Sequence, residues 1–314
     1  MTDHFAPLNT AEVMDRAVEV YKKSFFKQIL FSGIYHFASF SAIGVASVFF
    51  GFLAVLTLGM LGGGGTVWFF VLLSVAVIIL WVSVSQAGHI LLAKNAFFGE
   101  KVQLKAGLLP RMAIRVFFTI MAQVIAIVPY VAVLILFFAA LDNFVVFTFS
   151  NIWIDIFLGL FVFIFWLFLF FVYYHIFSLS IAVSVFERKT FFGALVRSVR
   201  LLQGEFWKTF GARTLWMCVT GLVWMSLFGI FSLIAMGIEL LTGSVLGNFS
   251  IFFSFIMTVI FGILYIAVYF LITPMGGVFH TVLYFNQRIK KEGLDIEIKL
   301  TKLERDLNVN GGVR

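Results

Sequence analysis

The chain has 314 residues, of which 62% are hydrophobic and 12% charged, with 43 Phe, 4 Pro and a mean hydropathy of +1.09; soluble domains average ~45–50% apolar and ~25% charged. A soluble fold is excluded, and the single Cys218, inside an apolar run, excludes a disulfide framework or a thiolate zinc site. The net charge of +7 reads as membrane topology and contact with anionic headgroups rather than as nucleic-acid binding.

The first 28 residues are polar and hold no short apolar core or small-residue cleavage site, so no cleaved leader is expected. Asn9 and Glu12 have capping-box spacing. Met14, Ala17, Val18, Tyr21 and Phe25 then share a face opposite Asp15, Arg16, Lys22 and Lys23, predicting an amphipathic helix at the membrane interface, distinct from the span that follows. Six apolar runs come next, at roughly 29–60, 67–92, 112–141, 152–186, 210–241 and 250–285, each holding the ~20 residues that a spanning helix needs. Several are long enough to require tilt, kinks or projection from the hydrocarbon; Pro129 and Pro274 are the expected kink sites.

Every one of the 22 Lys and Arg lies in the N-terminal segment, after the second run, after the fourth run or in the C-terminal tail. The connections around Gly62–Gly65, Asp142–Asn151 and Thr242–Ser250 have none. By the positive-inside rule this predicts six spans with both termini cytoplasmic. The expected architecture is an all-α integral membrane protein, one polytopic domain over 1–314, with six transmembrane helices as three hairpins and cytoplasmic amphipathic helices at the interface. Residues 286–314 are expected as a charged cytoplasmic tail.

After the fourth run, Thr190 precedes Phe191, Leu195, Val199, Leu202 and Phe206 at helical spacing, predicting a second interfacial helix over 190–206. At an offset of 181, Arg16, Val18, Phe25 and Lys27 match Arg197, Val199, Phe206 and Lys208; at 191, His89, Leu92 and Asn95 match His280, Leu283 and Asn286. A third unit is expected from Lys101, where Pro110 ends any helix early. The repeated unit is thus an inner amphipathic helix followed by a hairpin of spans.

The stretch from Ala182 to Lys208 (AVSVFERKTFFGALVRSVRLLQGEFWK) and that from Thr281 to Glu297 (TVLYFNQRIKKEGLDIE) resemble the bacterial membrane domain named after glycerophosphoryl diester phosphodiesterases, and the related YciC-like six-span proteins. The resemblance implies a bacterial cytoplasmic-membrane protein and covers nearly the whole chain. Where the family often has an acidic residue before the basic cluster, this chain has Asn286 and Gln287. Members that hydrolyse phosphodiesters carry a separate soluble barrel; the chain runs only to Arg314, so the resemblance implies fold and location without that activity.

No HExxH, GxSxG or Walker pattern occurs, and Gly62–Gly65 lacks a following Lys, so it reads as a turn rather than a phosphate cradle. No catalytic residue, cofactor or metal site is expected, and Ser178, Ser180 and Ser184 are expected to bond backbone. Phe157–Phe171 is expected to face lipid or pack. Arg213 and Glu239 bracket the fifth run and are expected to snorkel to an interface. His36, His89, His175 and His280 lie within apolar runs; either each bonds a neighbouring helix, or two or more converge on a polar pocket in the cytoplasmic half. Arg16, Lys22, Lys23, Arg197, Arg200, Arg288, Lys290 and Lys291 are the candidate contacts with anionic lipid or a protein partner. The leading functional expectation is a non-catalytic module that anchors partner proteins at the inner leaflet. The alternatives are a transporter or lipid-handling permease, and a membrane subunit whose catalytic groups come from another chain.

Overall fold

A computed structural model describes residues 6–104, 107–148, 152–245, 250–294, 296–297 and 300, with the side chains of 43, 45–67, 137–138, 140–148, 152–156, 158, 239, 241–245 and 250–254 outside the description. Among the described residues the chain is helical without strands: α1 (Thr10–Phe97), α2 (Leu109–Thr148), α3 (Ile152–Ile176), α4 (Ser180–Phe186), α5 (Phe192–Leu202), α6 (Phe206–Val245) and α7 (Ser250–Glu292). Five described stretches are long and apolar enough to cross a membrane: Trp68–Phe97, Leu109–Leu136, Gly159–Phe186, Phe206–Ile238 and Phe255–Glu292. This is an all-α, multi-pass membrane protein. Much of the first expected run, 29–60, lies outside the described side chains.

The capping box forms as its spacing predicts: Asn9 Oδ1 accepts from the Glu12 amide at 3.0 Å and Glu12 Oε2 accepts from the Asn9 amide at 2.7 Å. The helix that starts there does not end at residue 28. It continues unbroken into the first run, so the expected separate element is the opening turns of α1. Nothing between Phe25 and Ile34 stops a helix, since no Pro falls there and Gly33 stands alone. The buried stripe is also shifted from the one expected. Val13, Ala17, Val20, Ser24 and Gln28 are buried, the first three in the core shared with α7 and Gln28 against the return limb of α1, while Val18 and Phe25 are exposed.

Further along α1 the chain folds back on itself. The Tyr35 hydroxyl donates to the Trp81 carbonyl at 2.8 Å and the Phe40 ring lies 5.8 Å from that of Trp81, so the reversal falls between Phe40 and Trp81. The return limb is tightly held. A Cβ at Gly88 would enter the Phe31 ring, and one at Gly277 of α7 would come within 2.7 Å of His89 Cβ.

Pro110 occupies the second position of α2, where its missing N–H is harmless. Residues 101–104 before it are not helical, so the third copy of the amphipathic helix is absent among the described residues. Pro129 and Pro274 sit inside α2 and α7, which continue through them. The interruption comes in the fourth run, at Phe177–Leu179 between α3 and α4. There the freed Phe177 carbonyl accepts from Ser180 Oγ at 2.7 Å and from Gln123 Nε2 at 3.2 Å. Polar groups from this strand of the chain and from α2 thus replace the missing intrahelical bond.

α5 is a separate helix but shorter than 190–206: Gln203, Gly204 (φ 85°) and Glu205 end it, and Phe206 already belongs to α6. Phe191, at φ 52°, enters it without a side-chain cap. Its buried face is Ala194, Leu195, Ser198, Leu201 and Leu202; Val199, expected there, is exposed. At the chain's other end α7 runs through residues 286–292, so the expected tail begins as helix, and residues 301–314 lie outside the description.

The main core is at the basic end of the bundle. It joins Val13, Ala17 and Val20 of α1, Ala93–Phe97 from its return, Leu179–Val183, α5, Trp216 of α6 and Val278–Ile289 of α7. Asn286 closes it: Oδ1 accepts from the Leu8 amide at 2.8 Å and Nδ2 donates to the Leu8 carbonyl at 3.2 Å. Away from this end the helices expose Phe157, Phe161, Phe163, Phe165 and Phe168 and similar side chains, as a lipid-facing surface requires.

Candidate functional site

The four intramembrane histidines do not share one pocket; they form two pairs. The first belongs to the two limbs of α1. His89 Nδ1 lies 2.6 Å from Gln28 Oε1, whose amide nitrogen donates to the His89 carbonyl at 3.1 Å, and His89 Nε2 is 3.3 Å from Ser32 Oγ. His36 Nδ1 is 2.7 Å from the Ser32 carbonyl and its Nε2 is 3.4 Å from the Tyr269 hydroxyl. A carbonyl or amide oxygen only accepts, so Nδ1 carries the proton in both rings. Gln28, Ser32, His36 and His89 are fully buried. Each ring nitrogen here has a partner, and the cluster holds the hairpin together.

The second pair surrounds Arg213, and here the partners run out. Arg213 lies on the α6 face that continues with Trp216, Met217 and Thr220, and it meets the α7 face of Thr273, Gly276 and His280. α3 ends at Ile176, so the Tyr174 carbonyl is among the orphans of its last turn. Arg213 Nη1 donates to that carbonyl at 3.2 Å, and the guanidinium stands 4.2 Å over the Tyr174 ring. Arg213 is only 3% exposed. It is held against the end of α3 by the Tyr174 carbonyl and ring and is buried there rather than snorkelling to the interface. Among the described residues no carboxylate pairs with it. Beside it, Trp216 Nε1, His280 Nδ1 and His175 Nε2 are buried without hydrogen bonds. His175 is held by Nδ1, 2.8 Å from the Phe171 carbonyl, and by the Phe210 ring at 4.4 Å. Arg213, Trp216 and His280 line a cavity of about 200 Å³ between α3, α6 and α7, with Tyr174 and Met217 exposed at its rim.

The sequence carried a trace of this site. At the repeat offset of 181, Arg213 stands where the first copy has Ser32; at 191, His280 stands where it has His89. At those offsets the earlier stretch has a hydroxyl that meets its histidine, and the later one a cation beside a cavity with no carboxylate partner among the described residues. Glu239, the other expected snorkelling residue, has a side chain outside the description.

The candidate surface cations are largely engaged within the protein. Arg16 donates to Glu19 at 2.5 Å and to the Phe97 carbonyl, and Lys23 binds Glu19 at 2.6 Å. The Lys23 hydrogen bond, with Arg16, holds the Glu19 carboxyl below its ordinary range. Arg197 is forked on Glu187 at 2.8 and 3.0 Å and also binds Glu292. Burial alone would lower its basicity, but the two carboxylates raise it. Arg288 binds Glu292 at 2.8 Å, Lys290 lies 3.5 Å from Glu205, and Lys291 donates to the Gln203 carbonyl. Lys22 and Arg200 are exposed and take part in none of these pairs. Ser180 and Ser184 bond backbone carbonyls at 2.7 Å, whereas Ser178 Oγ is buried without a partner.

No protein-family model, curated protein or solved structure matches the chain. The fold and the site define it as a multi-pass helical membrane protein with a half-open cavity near its basic end, lined mostly by apolar groups and by Arg213, Trp216 and His280.

Proposed function

We propose that this chain is a non-catalytic lipid-handling protein of the bacterial cytoplasmic membrane, with six spans as three hairpins and both termini inside. The buried Arg213 at the wall of a cavity, with no carboxylate partner among the described residues, carries the reading, since the Tyr174 carbonyl and ring leave its charge unneutralised at a depth where a cation is costly. Arg213, Trp216 and His280 bring a guanidinium and ring N–H groups to an otherwise largely apolar wall, and the Thr220 and Thr273 hydroxyls there are engaged with carbonyls of their own helices, an arrangement that supports holding a ligand over attacking one. An even number of crossings is supported by the Asn286–Leu8 contact, which puts the beginning and end of the spans on one side. A crossing by the outgoing limb of α1, ahead of its reversal, would bring the five described stretches to six. α5 fits an interfacial helix: Phe192, Val196 and Val199 are exposed next to Arg200, opposite its buried face. The resemblance to the phosphodiesterase membrane domains agrees with this location.

The anchoring reading, by contrast, draws on Lys22, Arg200 and a few neighbours, because the remaining basic candidates serve the chain's own core. Extraction from the native membrane in mild detergent, followed by mass spectrometry of the intact protein, separates the two. A retained phospholipid is expected; a stoichiometric protein partner without bound lipid would return the anchoring reading.

A further inference from the structure

Resting on the lipid-handling reading, we infer that the Arg213 cavity takes one phosphate group, with Arg213 as its counter-ion and Trp216 and His280 as further donors. A guanidinium has five N–H donors in a planar fork suited to an oxyanion, and among the described residues its partner is Tyr174, whose carbonyl accepts from Nη1. Trp216 Nε1 is a donor without acceptor properties, is buried and lacks a partner. Trp216 itself is only 4% exposed, and its stacking on Phe279 at 5.0 Å fixes the ring. Buried groups of this kind normally have partners, and an acceptor-only anion satisfies them together. The first repeat copy supports the assignment. There Gln28 and Ser32 fill the histidine's surroundings with their own amide and hydroxyl, and the polar groups are mutually satisfied.

Size and depth point to the phosphate of a membrane lipid. About 200 Å³ is below the ~300–1,000 Å³ of sites that enclose a whole drug-sized ligand, so a headgroup enters while its tails stay outside. The rim residues Tyr174 and Met217 are exposed on spans, where acyl chains lie. Arg213 is five residues beyond the exposed Lys208, about 7.5 Å along α6, a depth that a headgroup reaches from the interface. Free inorganic phosphate has the same oxyanion chemistry and is the other source.

The test uses the full chain, delipidated in detergent, and measures binding of dioleoylphosphatidylglycerol, dioleoylglycerol and inorganic phosphate by intact-protein mass spectrometry and thermal shift. The wild type is expected to bind the phospholipid about tenfold or more tightly than dioleoylglycerol, with R213Q losing about tenfold and R213K less. W216F, which keeps the stacked ring but removes the N–H, is expected to lose about threefold. It decides the matter if R213Q does not fold. Competition by millimolar phosphate with a matching thermal shift would support the phosphate site and assign it to the free ion. Equal phospholipid binding by wild type and both variants would overturn the site and leave lipid handling standing. Binding of neither phospholipid nor phosphate by the wild type would overturn both.

Discussion

Gly277 marks the closest approach of α7 to the return limb of α1, and the space that a methyl group would need there is occupied by His89 Cβ at 2.7 Å, with His89 backbone carbon at 3.6 Å. Backbone cannot swing aside as a flexible side chain can. Gly277→Ala is therefore expected to destabilise by roughly 1–3 kcal/mol, while Gly221→Ala, with nothing within 4 Å, serves as the neutral control. Melting temperatures of the two variants in the same detergent check this. Two carboxylates provide a pH test at the same scale. Glu19 and Glu205 are held below the ordinary carboxyl pKa, chiefly by hydrogen bonds from Lys23 and Lys208. Their contribution is complete above the unfolded carboxyl value of about 4.3 and disappears as the pH falls through the lower folded value. Both pairs are partly solvated, so each is worth no more than about 1 kcal/mol. E19Q and E205Q should each lower the melting temperature slightly at pH 7 and flatten its fall below about pH 4.3.

At the scale of elements, α5 is fastened by its polar edge. Glu187, at the end of α4, accepts from Arg197 Nε and from the Tyr284 hydroxyl at 3.0 Å, and Arg197 reaches on to Glu292 of α7. Three helices thus meet on one ion network. Glu187→Gln removes the charge but not the shape, and is expected to weaken the attachment by about 1–3 kcal/mol. Hydrogen exchange of α5 amides should speed accordingly, while that of α2 stays unchanged. The apolar spacing made α5 and its position after the fourth run readable in advance, and the Asn9–Glu12 pair announced the start of α1. Two features escaped because they depend on contacts between distant segments. The break at Phe177–Leu179 has no Pro or Gly, and its Phe177 carbonyl is taken up by the Ser180 amide and hydroxyl and by Gln123 of α2. Arg213 looked like an end-of-span residue, and only the end of α3, with the Tyr174 carbonyl and ring, holds it buried. The pairing of His36 with His89 likewise follows from the register of the α1 hairpin, and that of His175 with His280 from the meeting of α3 with α7, not from their spacing.

For the whole molecule, the division of basic residues predicts that cysteines placed at Gly64, Asn143 or Gly247 react with an impermeant reagent from outside the cell. All three positions lie outside the described side chains. Cys218 is exposed on α6, so the labelling belongs in a Cys218→Ala background. Failure at two of the three positions would overturn the six-span arrangement.

The clasp between Leu8 and Asn286 also sets an order of events during synthesis. His89 can find Gln28 and Ser32 as soon as α1 has been translated, but Leu8, Tyr21 and His36 all bond to residues of α7. Their partners leave the ribosome last. Until then the first turns of α1 have an apolar stripe that only the return limb of α1 can cover, and the Leu8 amide and carbonyl just ahead of it are without Asn286, a substrate for chaperones and membrane proteases. Nascent chains arrested before residue 286 should be cut within residues 8–21 by added protease, and chains released at full length should resist. Loss of the final helix, through a late frameshift or a premature stop, would thus be sensed at the opposite end of the polypeptide.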